Sequence, residues 1–282
     1  MTFRLLTLFG LLTTALLAEK PSILILTGEP EYGSRQTLGT LGKQLNEAYG
    51  AQITHIHVEK KGEQHHFPGL KAALKNTDLL IHYLRFLNLT ETDYQLLDDY
   101  HAGSGSFIAV RTSTHPFRFE RDSKLFNQAR DFPTRHFGTP YRGHHGHDTS
   151  QVNYVMAARH PVMTGVEPRF WTPDFVYATN PLSVHCTPLM VGQGLKGLQP
   201  ATFKEANPVN HVYVLSEKDE TRVIGTPHPV VWTVEDPNTE ERSLVSTVGA
   251  RKSFDDPNVR RLFHNAVLWC LEMEDQIPKE AP

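Results

Sequence analysis

Cysteine is nearly absent from the sequence: Cys186 and Cys270 are the two copies among 282 residues. Cys186 follows His185 but has no second cysteine nearby, which leaves a poor metal motif. Cys270 closes the stripe Val259, Leu262, Phe263, Ala266, Val267, Cys270, the apolar face of a helix. That spacing favours a buried thiol over half of a disulfide. Blocks of like charge are missing too, and a formal charge of −3 provides no field for a polyanion, which argues against a nucleic-acid partner. No internal repeat or low-complexity tract interrupts the chain, and one elaborated α/β domain is the economical reading.

Two further absences narrow the chemistry. No Gly-x-Gly-x-x-Gly or Gly-x-x-x-x-Gly-Lys-Ser/Thr occurs, and Glu29 and Glu31 would repel a phosphate after the first strand. No Gly-x-Ser-x-Gly or Gly-x-Cys-x-Gly marks a nucleophile turn. The apolar run Leu5–Ala18 is shorter than the ~20 residues that cross a bilayer. It follows Arg4 and ends on a small residue, as a cleaved secretory signal does. The expected junction is Ala18/Glu19, although Leu16 suits the third position before the cut less well than alanine. Cleavage removes Arg4 and takes the formal charge from −3 to −4. The mature chain, 19–282, is then exported to the periplasm or beyond. No cysteine follows the run to carry a lipid, so no membrane attachment is expected after cleavage.

What the sequence does hold is 39% hydrophobic and 21% charged residues, ordinary for a soluble protein, and 16 histidines. "SILILT" (22–27), "QITHIHV" (52–58), "DLLIHYL" (78–84) and "SFIAVR" (106–111) read as strands. Between them lie helical patterns: Leu38, Leu41, Leu45 and Ala48 with a stop at Gly50, a short "FPGLKAALKN" helix, and a helix opened by a Thr90-x-x-Asp93 capping box and closed by Gly103. This alternation predicts parallel βαβ units in a three-layer α/β/α sandwich with a mostly parallel sheet. Residues from about 112 to 225 read as a long loop-rich insertion lying over that sheet, with strand candidates "QVNYVMAA" and "TPLMVG". "PVVWTV", "SLVSTV" and a terminal helix restore the order.

In such a sheet ligands bind beyond the carboxyl ends of the strands. That rule selects Glu29, Tyr32 and Arg35 after the first strand, Arg85 and Phe86 after the third, Arg111, Thr112, Ser113, Thr114 and His115 after the fourth, and Gly249 and Arg251 after "SLVSTV". Ser113 with His115 is a weak nucleophile–base candidate beside a plainer reading as capping hydroxyl and ligand-facing imidazole.

"ILILTGEPEYGS", "HYLRF", "VRTSTHPF", "GHHGH", "RHPVMTGV", "PVVWTV" and "VGARKSFDDPNVRRLFHNAVLWCLEMEDQIP" occur in the order seen in trehalose-utilisation (ThuA-like) proteins. The chain resembles the exported bacterial forms over nearly all its mature length. The resemblance implies a class I glutamine amidotransferase-like, flavodoxin-like fold without the amidotransferase cysteine. It also implies sugar catabolism, on disaccharides or their 3-keto derivatives. Many members carry histidine where this chain has Ala250, which marks either a subgroup of exported forms or the loss of a mechanism that needs that histidine.

The cluster "GHHGHDTS" (143–150) admits three readings. As metal ligands, His145 and His147 with His115 or Asp148 could hold a divalent ion such as zinc, though no recognised zinc spacing is present. As proton-handling groups, His144 or His145 facing His115 could abstract a proton beside a ketone or protonate a glycosidic oxygen, with Arg85 or Arg111 at the developing oxyanion. As a solvated cluster they do neither. His115, His144, His145 and Arg111 are the catalytic candidates. Glu29, Tyr32, Arg85, Thr112, Ser113, Trp171 and Arg251 are the substrate-binding ones. Trp232 reads as core, Trp171 and Phe170 as ligand-reaching, His55/His57 as a solvent-facing or edge pair, and His65/His66 as loop surface. The partner expected is a small carbohydrate. A homo-oligomer is compatible with the sequence, and the rival to an enzyme is a carbohydrate-binding accessory protein.

Overall fold

The computed structural model describes residues 20–103, 105–145, 149–196, 222–235 and 241–279. The signal-like segment, His147 and Asp148 lie outside them. Apolar β-branched runs bury both faces, and they build the centre of one nine-stranded sheet. Strand β1 (Ser22–Gly28) pairs in parallel with β2 (Gln52–His57) on one side and β5 (Leu79–Leu84) on the other. β6 (Ser106–Val110) follows β5, and β11 (Ser243–Ser246) follows β6, again in parallel. Between β2 and β5 a short hairpin, β3 (Glu59–Lys61) and β4 (Gln64–His66), stands apart. His65 and His66 are therefore strand residues rather than loop surface, and His65 Nδ1 accepts from the Asn88 N–H at 3.2 Å.

The insertion does more than lie over the sheet: residues 126–137 form a helix on one face, and its described strands lengthen the sheet. β7 (Thr149–Val155), β8 (Arg169–Thr172) and β9 (Cys186–Lys196) join β10 (Arg222–Val234) in an antiparallel extension, giving the order β2-β1-β5-β6-β11-β10-β9-β7-β8. "PVVWTV" is thus the closing half of β10 and "TPLMVG" the opening half of β9, two long neighbouring strands. Seven of the nine strands run one way; β7 and β10 run the other.

Successive side chains of a strand face opposite sides, and two apolar clusters follow. On one side Ile23, Ile25, Ile81 and Val110 pack with Leu38, Leu41 and Leu45 of α1 (Ser34–Tyr49), and with Val259, Leu262 and Phe263 of α5 (Pro257–Cys270). On the other, Leu24, Leu26, Leu80 and Phe107 meet Leu70 of α2 (Leu70–Leu74), Tyr94 and Leu97 of α3 (Glu91–Ala102), and Ala129 and Phe132 of α4 (Phe126–Phe137). Gly50 closes α1 at φ 68, and Thr90 caps α3 by accepting from the Asp93 N–H at 3.3 Å. The capping box is not reciprocal, because the Asp93 carboxylate is taken by the Phe67 N–H at 2.7 Å.

Both thiols are free. Cys270 is buried on the α5 face as its stripe predicts, and burial pushes the Cys186 thiol up to about 11. Trp232 is fully buried and donates its indole N–H to the Phe137 carbonyl at 2.9 Å. Among the described residues no helix is long and apolar enough to cross a membrane.

Candidate functional site

Two strained residues mark where the strand ends converge. Phe86, after β5, has φ 49, and Arg111, after β6, has φ 48. Bulky side chains rarely occupy this left-handed region, and such strain concentrates at functional sites. Arg111 opens a 3-10 turn, Arg111–Thr114, that delivers His115 to the sheet's carboxyl edge.

The Arg111 side chain is only 1% exposed, so its charge needs a partner inside the protein. Asp174, which is 0% exposed, supplies it through an Nη1–Oδ1 contact of 2.8 Å, and the Thr247 carbonyl accepts at 3.0 Å. The same carboxylate accepts from the Ala250 N–H at 3.0 Å and from the Ser253 hydroxyl at 2.6 Å. Asp174 therefore ties the turn after β6 to the loop after β11. The Arg111 guanidinium also lies over Tyr32 at 4.6 Å and Tyr177 at 5.3 Å. Burial opposes its charge, but Tyr177 and Asp174 outweigh burial and hold it protonated. Arg111 Nε, Thr112 Oγ1 and Tyr83 OH are buried without a hydrogen-bond partner.

His115 is enclosed by rings: Tyr141 at 3.9 Å between centroids, Phe86 at 4.7 Å and Tyr177 at 5.6 Å. Burial first, then the charges of Arg85 and Arg111, lowers its pKa to about 3, so the imidazole is neutral near pH 7. Thr114 Oγ1 donates to the Arg111 carbonyl at 3.2 Å and lies 3.2 Å from His115 Nδ1. The arrangement that satisfies both puts the His115 proton on Nδ1 and leaves the Nε2 lone pair available. Arg85 pairs with Glu31 at 2.7 Å and stands over Phe86 at 4.8 Å.

The histidine loop divides. His144 stacks on Phe175 at 5.4 Å and lies 6.2 Å from the Tyr177 ring, which also meets His115 and Arg111, so these side chains outline one candidate crevice at the strand ends. His145 donates its N–H to the Val176 carbonyl, and its ring packs on His228 at 5.2 Å. Among the described residues no three His, Cys, Asp or Glu side chains converge as a metal cage.

Other sequence candidates have different duties. The Glu29 carboxylate accepts from the Tyr32 N–H and from the Ser34 N–H at the start of α1, so it organises the loop after β1. The Ser113 hydroxyl, 0% exposed, is 3.1 Å from His82 Nδ1 and accepts from the Leu84 N–H at 3.0 Å, which removes it as an accessible nucleophile and parts it from His115. Trp171 donates to Ser150 Oγ at 3.0 Å and packs on a small cluster with Val152 and Leu195, while Phe170 is core. Phe175 and Tyr177, a few residues on, supply the rings instead. Arg251 lies exposed against Gly33. Asp174, Phe175, Tyr177, Tyr141 and His82 escaped the sequence reading. The stretch "TPDFVY" held the sole local hint: an acid and two rings after a strand.

No family model matches the sequence, and no curated protein matches it. Solved structures do. A protein from Bacteroides uniformis described as ThuA-like superposes with TM-score 0.59 at 17% identity, over 90% of this chain and 93% of its own. One from Parabacteroides merdae, described likewise, gives TM-score 0.60 at 13% identity, over 94% of each chain. At such identities the fold is what is shared, and this chain has the fold of those ThuA-like structures.

Proposed function

We propose that this is an exported carbohydrate-catabolism enzyme of the class I glutamine amidotransferase-like, three-layer α/β/α type, acting on a disaccharide or a 3-keto-sugar through His115. The observation that carries the reading is the placement of His115: a neutral imidazole packed among Phe86, Tyr141 and Tyr177 at the carboxyl edge of the sheet, near two arginines. Aromatic faces pack on sugar C–H surfaces, and few polar groups then fix orientation. The Nε2 lone pair takes a proton from a carbon beside a ketone or from an attacking hydroxyl. The Arg85 guanidinium, half-buried beside Phe86, stabilises the oxyanion that forms. Arg111 is too deeply paired with Asp174 for that task and instead holds Tyr32 and Tyr177 in place. His144 completes the far wall, and His145 belongs to the wall's support. The "GHHGH" loop would offer His145 and His147 to a divalent metal such as zinc, and elemental analysis of untagged protein decides that point.

A second reading has its own support. A histidine held near a pKa of about 3 is a weak base, and the Ser113 hydroxyl is committed, which suits a sugar-binding accessory protein. Turnover of a 3-keto-disaccharide that His115→Ala abolishes while binding persists supports the enzyme. Binding across a broad sugar panel with no turnover at all sinks it in favour of the accessory protein.

A further inference from the structure

Beside His115, a cavity of about 380 Å³ whose lining does not include Arg111 opens between the segment that follows the 3-10 turn and α4. That volume is at the low end of the ~300–1,000 Å³ typical of small-molecule sites. Phe86, Phe117 and Tyr141 form walls, and His115 also lines the cavity. The charged residues of the lining are Arg118, Arg130 and Asp131. Arg130 Nε donates to Asp131 at 3.0 Å, so those two cancel. Arg118 is exposed and has no ion-pair partner among the described residues. Its guanidinium lies 5.9 Å from the Phe86 ring centroid, on a ring that also carries Arg85 at 4.8 Å. Arg85 has Glu31 as its counter-charge and does not join the lining, so it adds no standing charge to this cavity while staying able to meet a transient oxyanion. One positive charge is therefore left over in an aromatic-walled cavity that touches His115.

We propose that this cavity is a subsite for the carboxylate of an acidic sugar, bound by Arg118. The proposal rests on reading the crevice as a sugar site. A neutral sugar unit calls for no charge in its subsite, whereas a planar guanidinium matches a carboxylate through two parallel hydrogen bonds. A single uncompensated cation balances one negative charge and leaves a phosphate dianion under-compensated. The neighbouring chemistry points the same way. The charges of Arg85 and Arg111 contribute to the low basicity of His115, and an anion held beside that ring opposes them. An acidic substrate thus restores basicity to the group that must take its proton.

The test is calorimetric titration of the intact mature chain with a glucuronosyl-glucose disaccharide, its carboxyl-reduced counterpart, and glucose 6-phosphate. The acidic disaccharide is expected to bind about tenfold more tightly than the reduced one, the equivalent of one charge-assisted hydrogen bond. Arg118→Gln, at an exposed position that leaves the core intact, should erase that difference and leave the reduced sugar's affinity unchanged. Equal affinities for the two disaccharides, an equal effect of Arg118→Gln on both, or tighter binding of the phosphate overturns the carboxylate subsite and leaves the crevice reading standing. Binding of neither disaccharide to folded protein overturns the crevice reading and this proposal together.

Discussion

Arg111 and Asp174, at 1% and 0% exposure, depend on each other for solvation. Removing one strands the other's charge, which costs about 3–5 kcal/mol. Asp174→Ala should therefore lose that much in urea unfolding, and it also releases the Ala250 N–H and the Ser253 hydroxyl. A loss under 1 kcal/mol would mean that water reaches Arg111 in solution. The buried histidines make a second prediction, on pH. His82 is fully buried, and burial lowers its pKa to about 3. The unfolded chain, near 6.5, binds the proton more readily, so stability is complete above pH 6.5 and falls as pH drops toward 3. Each such group gives a slope of about 1.4 kcal/mol per pH unit within that window. His115 behaves alike, with its pKa also lowered to about 3 by burial and nearby arginines. His82→Gln should lower the slope of unfolding free energy against pH between 4 and 6 by about one proton's worth. An unchanged slope would place the acid sensitivity elsewhere.

At the scale of elements, local pattern and long-range pairing had different legibility. The first four parallel strands, α1 with its Gly50 stop and α5 with its apolar stripe were readable because each bears its own period and stop signals. Of the antiparallel extension, the strand candidates "QVNYVMAA", "TPLMVG" and "PVVWTV" were readable, but their lengths and pairing into the sheet were not. β9 and β10 carry Pro188 and Pro229 and register shifts, and each is held by partners far away in sequence. The candidate site divides in the same way. Arg85, Arg111 and His115 follow from strand ends, whereas Asp174 meets Arg111 across a separation of 63 positions that no spacing rule anticipates. His82 was hidden inside an apolar strand. The end of α4 offers a test of the extension's docking. Gly138 closes that helix at φ 76, and a Cβ there would lie 2.2 Å from Cys186 Sγ at the start of β9. Gly138→Ala combines backbone strain with overpacking and should cost about 1–3 kcal/mol. A neutral substitution would show that the helix end and β9 separate readily.

Across the whole molecule, the parallel and antiparallel halves share one sheet and the larger apolar cluster on one of its faces. That cluster joins Ile23, Leu38 and Val259 to Met163, Phe170, Leu189 and Met190, and among the described residues the extension has to itself only the small cluster of Val152 and Leu195. Three tryptophans report on different parts: Trp171 on β8 at the far edge, Trp232 on β10 near the seam, and Trp269 on α5. Variants that keep one tryptophan each should give fluorescence transitions that coincide with one another and with the loss of far-UV circular dichroism, the signature of a two-state unit. An earlier midpoint for Trp171 alone would show that the extension melts first. The crevice depends on that outcome, because Asp174, Phe175 and Tyr177 follow β8 while His115 follows β6. If the extension loosened independently, Arg111 would lose its counter-charge and His115 part of its aromatic wall under conditions where the parallel strands still held. Cooperative unfolding instead keeps the site assembled for as long as the sheet is.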